Sequence, residues 1–243
     1  MSDAGQAPQV WVTRTRPGAD ATAKRVQAAG FRPLVSPLLR VVPLQTPLHL
    51  DRAAALAFTS PNAVAAFARL AEGDAWRRLP AYAVGDATAE AIRDFGVADV
   101  RSASGDLDDL ADLIAAHPPS GEVLVLGPRE PSGDLPALLS LRGVTAGAVA
   151  VHATVSASAD EGRRALIEGA LGAILIHSAK AAVILAETSA ASPSAWPVIV
   201  AISEAAARPL AGVAPRIAVA THPDESSLLA ALTQALGKPR PRV

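Results

Sequence analysis

Ser60 stands where an apolar run gives way to a helical pattern, in LAFTSPNAVAAF (residues 56–67). A serine in that place is a good helix N-cap, and Pro61 suits the first helical position because the N–H it lacks would have no partner there. Asn62 and Ala63 are then expected to present free backbone donors, which the helix dipole makes attractive to negative charge. The chemistry on offer is anion binding, although capping alone would account for the serine. Other chemistries lack their residues. There is no Gly-x-Gly-x-x-Gly, no Gly-x-x-x-x-Gly-Lys and no Gly-x-Ser-x-Gly, so dinucleotide, P-loop and serine-hydrolase readings have no support. The histidines, at positions 49, 117, 152, 177 and 222, show no ligand spacing, and no metal is expected. His177 precedes Ser178, but neighbours in a strand point to opposite faces, which opposes a Ser–His pair.

The elements that must position such a site are those of an ordinary globular chain. With 243 residues, half of them apolar, it can bury a full core as one large domain or two small ones. Basic and acidic side chains number 22 and 23, so no basic surface argues for nucleic acid or an anionic membrane. The eight aromatic residues are too few for base-stacking surfaces. Absence of cysteine removes thiol catalysis and disulfides and fits a reducing compartment. Residues 1–9 carry no leader pattern and no apolar run reaches membrane-spanning length, so a cytoplasmic protein is expected.

An internal repeat organises the chain. A shift of 118 positions lays residues 55–71 on 173–189, with Ser60 over Ser178 and Ala63 over Ala181. The same shift puts YAVGDATAEAI (82–92) on VAISEAAARPL (200–210), Gly85 over Ser203 and Thr88 over Ala206. It then brings Asp106 to Asp224 and Leu110 to Leu228, each pair in a capped amphipathic helix. VWVTRTRPGADATAKRVQAAGF (10–31) and VLVLGPREPSGDLPALLSLRGV (123–144) form a further matched strand–helix pair. The first of these precedes its companions by the whole of the other half, and the second follows its own.

That order implies one domain inserted in another: residues 1–39 plus 153–243 as domain 1 and 40–152 as domain 2. Crossings are expected near 36–47, where three prolines oppose helix, and near 146–158, a β-branched stretch. A short antiparallel pair would satisfy both crossings. Alternating strands and helices make the fold class α/β, two similar domains with parallel sheets covered on both faces and joined by a two-stranded β linker. Ligands of such sheets bind beyond the carboxyl ends of the strands, so two sites facing a cleft are expected.

The opening VTRTRPGADATAKRVQAAGFRPLVSPLLRVVPL, the FTSPNAV junction and the AVGDATAEAI turn together resemble the uroporphyrinogen-III synthase family, over essentially the whole chain. The resemblance implies two α/β domains on a two-stranded linker and a reaction without cofactor. Hydroxymethylbilane, a linear tetrapyrrole, would lose its hydroxyl as water. Attack by the substituted position of the last ring would give a spiro intermediate that reopens and closes with that ring inverted. Uncatalysed closure gives the uninverted isomer, so positioning and electrostatic stabilisation are the terms the protein must supply.

By the same resemblance, substrate carboxylates would meet Ser60, Pro61, Asn62 and Ala63 in one domain and Ser178, Ala179, Lys180 and Ala181 in the other. Arg14, Lys180 and Arg129 would add cations without a basic face. Gly85 and Thr88 match the family's Gly-x-x-Thr turn, glycine for close backbone approach and threonine for a hydroxyl. The corresponding turn departs from the pattern, with Ser203 for the glycine and Ala206 for the threonine. A tyrosine proposed to help the hydroxyl leave is replaced by His152, whose imidazolium, with an unperturbed pKa of about 6.5, could donate that proton. His152 and Thr88 are the catalytic candidates. The implied protein is a monomer that receives hydroxymethylbilane, through transient contact with hydroxymethylbilane synthase. The alternative is a non-catalytic two-domain module that closes on a tetrapyrrole or small anion, a role that duplicated α/β domains also suit.

Overall fold

Short apolar runs alternating with capped helices become, in a computed structural model describing residues 7–188 and 196–238, two units with one mostly parallel sheet each. Residues 1–6, part of the stretch read above for a leader, lie outside the described residues, as do 189–195 and 239–243. The chain opens with β1 (Gln9–Val12), α1 (Gly18–Ala28), β2 (Arg32–Val35) and β3 (Leu39–Pro43). Next come β4 (Ala53–Phe58), α2 (Pro61–Leu70), β5 (Ala81–Ala83), α3 (Asp86–Asp94), β6 (Val100–Ser102) and α4 (Leu107–Ala116). They are followed by β7 (Glu122–Pro128), α5 (Leu135–Leu141), β8 (Ala146–Ser156), α6 (Asp160–Ile167) and β9 (Leu171–Ile176). The last are α7 (Ala179–Thr188), β10 (Val198–Ala201), α8 (Glu204–Ala207), β11 (Ile217–Val219) and α9 (Glu225–Leu236).

One unit comprises Met1–Arg40 and Val155–Val243, the other Val41–Thr154. In the first, the sheet order is β11-β10-β9-β1-β2 with every neighbouring pair parallel. Val10, Val12, Ala173, Leu175, Val198 and Val200 pack on one face. Trp11, Ile174, Ile176, Ile199 and Ala201 pack on the other. Both faces are covered, so the strands read as continuous apolar runs rather than alternating ones. In the second unit the order is β3-β8-β7-β4-β5-β6. Leu56, Phe58, Leu124 and Leu126 face one side and Ala55, Ala57, Val123 and Val125 the other.

The repeat is visible strand by strand. Read as β6-β5-β4-β7-β8, the second sheet has the order of β11-β10-β9-β1-β2 in the first, and β3 is an added edge. The β3 strand runs antiparallel to β8: Leu44 N–H donates to Val151 C=O and Ala157 N–H to Leu38 C=O, so numbers rise on one strand as they fall on the other. Residues 146–158, expected as a crossing, are mostly β8, whose first part is registered in parallel against β7 from Ala146 to His152. Local chemistry sets the helix starts. Asp106 and Asp109 form a capping box on α4, and Asp224 accepts from Ser227 N–H at 2.8 Å to cap α9. No helix among the described residues is long and apolar enough to cross a membrane.

Candidate functional site

The candidate side chains stand mostly at the β–α connections that follow the carboxyl ends of the strands, where helices start. At the start of α2, Ser60 Oγ accepts from Ala63 N–H at 3.2 Å. At the start of α7, Ser178 Oγ accepts from Ala181 N–H, also at 3.2 Å. The repeat thus preserves a cap, and it corrects an expectation: the N–H groups of Ala63 and Ala181 are engaged by their own serines. Pro61 contributes no donor, so Asn62 is the first-turn residue of α2 left to reach a ligand. The Asn62 side chain also lines a small cavity of about 130 Å³ with Val41, Pro43 and Arg69. Ala179 and Lys180 are exposed on the first turn of α7. His177 and Ser178 do not bond to one another; the serine caps its helix and the histidine turns to Glu225.

The two remaining turns differ in a way their sequences foreshadow. Ser203 caps α8, its Oγ accepting from Ala206 N–H at 3.3 Å. Gly85, at the same place on α3, caps nothing, and the space a Cβ would fill there is open. The backbone at Gly85 is extended, with φ −156°, so a side chain is excluded by no local strain; its absence leaves the donors of Asp86 and Ala87 uncovered. Thr88, at the third helical position, is only 3% exposed, and its hydroxyl has no partner among the described residues. Helical side chains lean toward the N-terminus, which carries this hydroxyl to the open end. Asp86 does not fill the gap, because Ser102 and Ser104 each donate a hydroxyl to its Oδ1 at 2.7 Å. Those two hydroxyls hold the Asp86 carboxyl below the usual carboxylate range.

In the first unit Arg14 follows β1 and lies across the start of α1, close enough to Gly18 that a Cβ there would stand 2.8 Å from its Nε. Its Nη1 pairs with Glu225 Oε2 at 3.0 Å and reaches Thr22 Oγ1 at 3.4 Å. His177 Nε2 lies 3.4 Å from the same Glu225 oxygen. Burial alone raises the Glu225 pKa; polar contact with His177 and Thr22 and the positive potential of His177 and Arg14 outweigh it and bring it from 4.5 down to about 2. Arg14 is therefore a held cation, still 37% exposed. Neither Glu225 nor its contact with His177 was among the sequence candidates. The only cue to Glu225 is its place just after the Asp224 cap, and nothing in the sequence ties it to an arginine 211 residues away.

Glu225 makes a prediction about acid stability. Its folded pKa is depressed, so its stabilisation is fully present above about pH 4.5 and is lost as pH falls toward about 2. The difference between those values corresponds to about 3 kcal/mol. Denaturant unfolding of the protein and of Glu225→Gln at pH 7 and pH 3 should show the variant less stable at pH 7 and flatter in its pH dependence. Parallel pH curves would show that the ion pair contributes nothing.

His152 lies on β8 in register with Pro128, where the β7–β8 pairing shifts, and its carbonyl accepts from Arg129 N–H at 2.8 Å. The residue is 4% exposed, and both ring nitrogens are buried without a partner. Burial pushes its pKa below the ordinary imidazole value, so at neutral pH the ring is neutral rather than an imidazolium. Proton donation from a pre-charged ring is thus disfavoured, while a neutral N–H remains able to donate a hydrogen bond. Beside this stretch, a cavity of about 560 Å³ is lined by Thr59, Gly127, Arg129, Ser132, Asp134 and Ala150 among others. Its lining mixes apolar strand residues with the polar groups of Thr59, Arg129, Ser132 and Asp134, the mixed character of a small-molecule pocket.

The family described as uroporphyrinogen-III synthase HemD matches residues 20–230. The chain belongs to the uroporphyrinogen-III synthase family. Its activity is that of a cyclising lyase. The structure is similar to that of a uroporphyrinogen-III synthetase from Helicobacter pylori, with a TM-score of 0.62 and 16% identity over 94% of this chain and 99% of that one. It is also similar to a mutant uroporphyrinogen III synthase from the extremely thermophilic bacterium Thermus thermophilus, with a TM-score of 0.54 and 18% identity over 96% and 100% of the two chains. At such identities the shared feature is the fold. No curated protein matches the chain. In this family member the open turn is the one at Gly85 and Thr88, while the turn at Ser203 is closed by its own serine.

Proposed function

We propose that the chain converts hydroxymethylbilane to uroporphyrinogen III, losing one water and inverting the terminal pyrrole ring, with the Gly85–Thr88 turn as a principal contact for substrate. Family membership supports the reaction, and the observation that carries the contact is the uncapped start of α3 beside the unpartnered hydroxyl of buried Thr88. A carboxylate there takes the donors of Asp86 and Ala87 and gives Thr88 a partner, gaining charge-assisted hydrogen bonds without reorganisation. Arg14, Asn62, Ala179 and Lys180 serve other carboxylates at the remaining helix starts, and Ser60, Pro61, Ala63, Ser178, Ala181 and Ser203 shape those starts by capping. Neutral His152 donates a hydrogen bond to the departing hydroxyl, while the proton that completes the leaving water comes from solvent, because a neutral imidazole does not act as an acid. The two units act as the two domains of a cytoplasmic monomer that takes its labile substrate from hydroxymethylbilane synthase. The binding-module alternative has no observation in its favour.

The test is turnover of hydroxymethylbilane generated in situ, followed by oxidation and separation of the type I and type III porphyrins. Predominantly type III product is expected, and His152→Phe should slow its formation without raising KM. Only type I product at the spontaneous rate, from folded protein, would overturn the enzymatic reading and leave the binding module in its place.

A further inference from the structure

Asp86 is the acid nearest the proposed carboxylate contact, and a negative charge at the first helical position is the residue least suited to share that place with an anionic ligand. An acid there ordinarily lies over the helix start, where free N–H groups and the dipole attract it. This one is drawn aside. Ser102, the last residue of β6, and Ser104, two residues on, both donate to Oδ1 at 2.7 Å. The serines are ordered against each other as well, with Oγ atoms 3.3 Å apart and Ser104 N–H donating to Ser102 Oγ at 3.2 Å. Ser104 adopts φ +51°, a left-handed conformation rare for a residue with a Cβ, which places its hydroxyl on the carboxylate. Meanwhile the start of α3 has no side-chain cap, open space at Gly85 and the unpartnered hydroxyl of buried Thr88.

We propose that Ser102 and Ser104 are positioning residues for the reaction, acting through Asp86: they clamp its carboxylate to the end of β6 and so keep the start of α3 free for a substrate carboxylate. The inference rests on the reading of the Gly85–Thr88 turn as a substrate contact. Asp86 still faces the positive end of the dipole from the side and supports α3 when substrate is absent. Released from the serines, the carboxylate has two attractors left, water and the open helix start, and at the latter it competes with substrate for the same donors. The effect is therefore on binding and scales with the charge of Asp86, not with the hydroxyls themselves.

The experiment compares KM and kcat for hydroxymethylbilane in wild type, the double variant Ser102→Ala/Ser104→Gly, that double with Asp86→Asn added, and Thr88→Val. Glycine suits the left-handed backbone at position 104, so the double removes two hydroxyls without adding strain. Ser102→Ala alone provides a milder second variant should the double fold poorly. KM of the double should rise about three- to tenfold with kcat nearly unchanged, and Asp86→Asn should bring it back to within about twofold of wild type. A raised KM that Asp86→Asn does not lower would mean a structural defect and overturn the proposal. An unchanged KM in the double, with Thr88→Val impaired, would overturn it while leaving the turn a substrate contact. If Thr88→Val is also unimpaired, the reading of the turn falls and the proposal with it.

Discussion

Replacing Thr88 by valine is expected to lower kcat/KM for hydroxymethylbilane by about ten- to a hundredfold, the loss of one hydrogen bond to a charged group. Valine keeps the branched shape and the packing of a residue that is 3% exposed, so the fold should survive. Stability should hardly move while activity falls. In the free protein the hydroxyl has no partner among the described residues and is not one of the fully buried unpartnered atoms, so its removal breaks no hydrogen bond and relieves no desolvation cost. A thermal melt with an equal or higher midpoint, beside a collapsed kcat/KM, is the signature of a group kept unsatisfied for substrate. A lower midpoint with unchanged turnover would instead make the hydroxyl structural.

The second large effect is on stability and lies far from the chemistry. Gly162 sits inside α6, where alanine would ordinarily stabilise a helix by about 1 kcal/mol. Here the Cβ of an alanine would stand within the Trp11 indole, a ring with no exposed surface whose Nε1 donates to Ser36 C=O at 2.6 Å. Ser36 in turn holds the helix, accepting from Gly162 N–H through its Oγ at 3.1 Å. Neither partner can retreat without breaking a buried hydrogen bond, so overpacking outweighs helix propensity. Gly162→Ala should cost about 2 kcal/mol in urea unfolding, a sign opposite to the propensity scale. Trp11→Phe, which shortens the ring, should recover part of that loss in the double variant, a coupling that independent sites do not show. A stabilised Gly162→Ala would mean that α6 moves away from β1 freely.

Much of this protein is written locally. Apolar runs of four to six residues, capped helix starts and a shift of 118 positions that preserves them determine two α/β sheets with the same strand order, because hydrophobic period and capping depend only on near neighbours. The same locality made the serine junctions legible, and it made two of them misleading: residue types mark a helix start without telling whether its donors are free, and the Ala63 and Ala181 N–H groups are taken by Ser60 and Ser178. The contrast between glycine at 85 and serine at 203 was readable as a departure from pattern, but its meaning, one turn open and one closed, came from hydrogen bonds.

What tertiary structure alone decided are relations between residues with no pattern to connect them. Arg14 meets Glu225 because β1 and the connection after β11 reach the same edge of one sheet, and the carboxyl falls to a pKa of about 2 because the partners gathered there, His177, Thr22 and Arg14, outweigh the burial that raises it. Asp86 is turned aside by serines from the next strand, His152 is kept neutral by burial, and Gly162 is required by an indole on β1. Periodicity and capping are summed over a few residues and survive divergence. Charge state, occupancy of a donor and the space beside a backbone depend on which distant atoms the closed fold brings within a few ångströms.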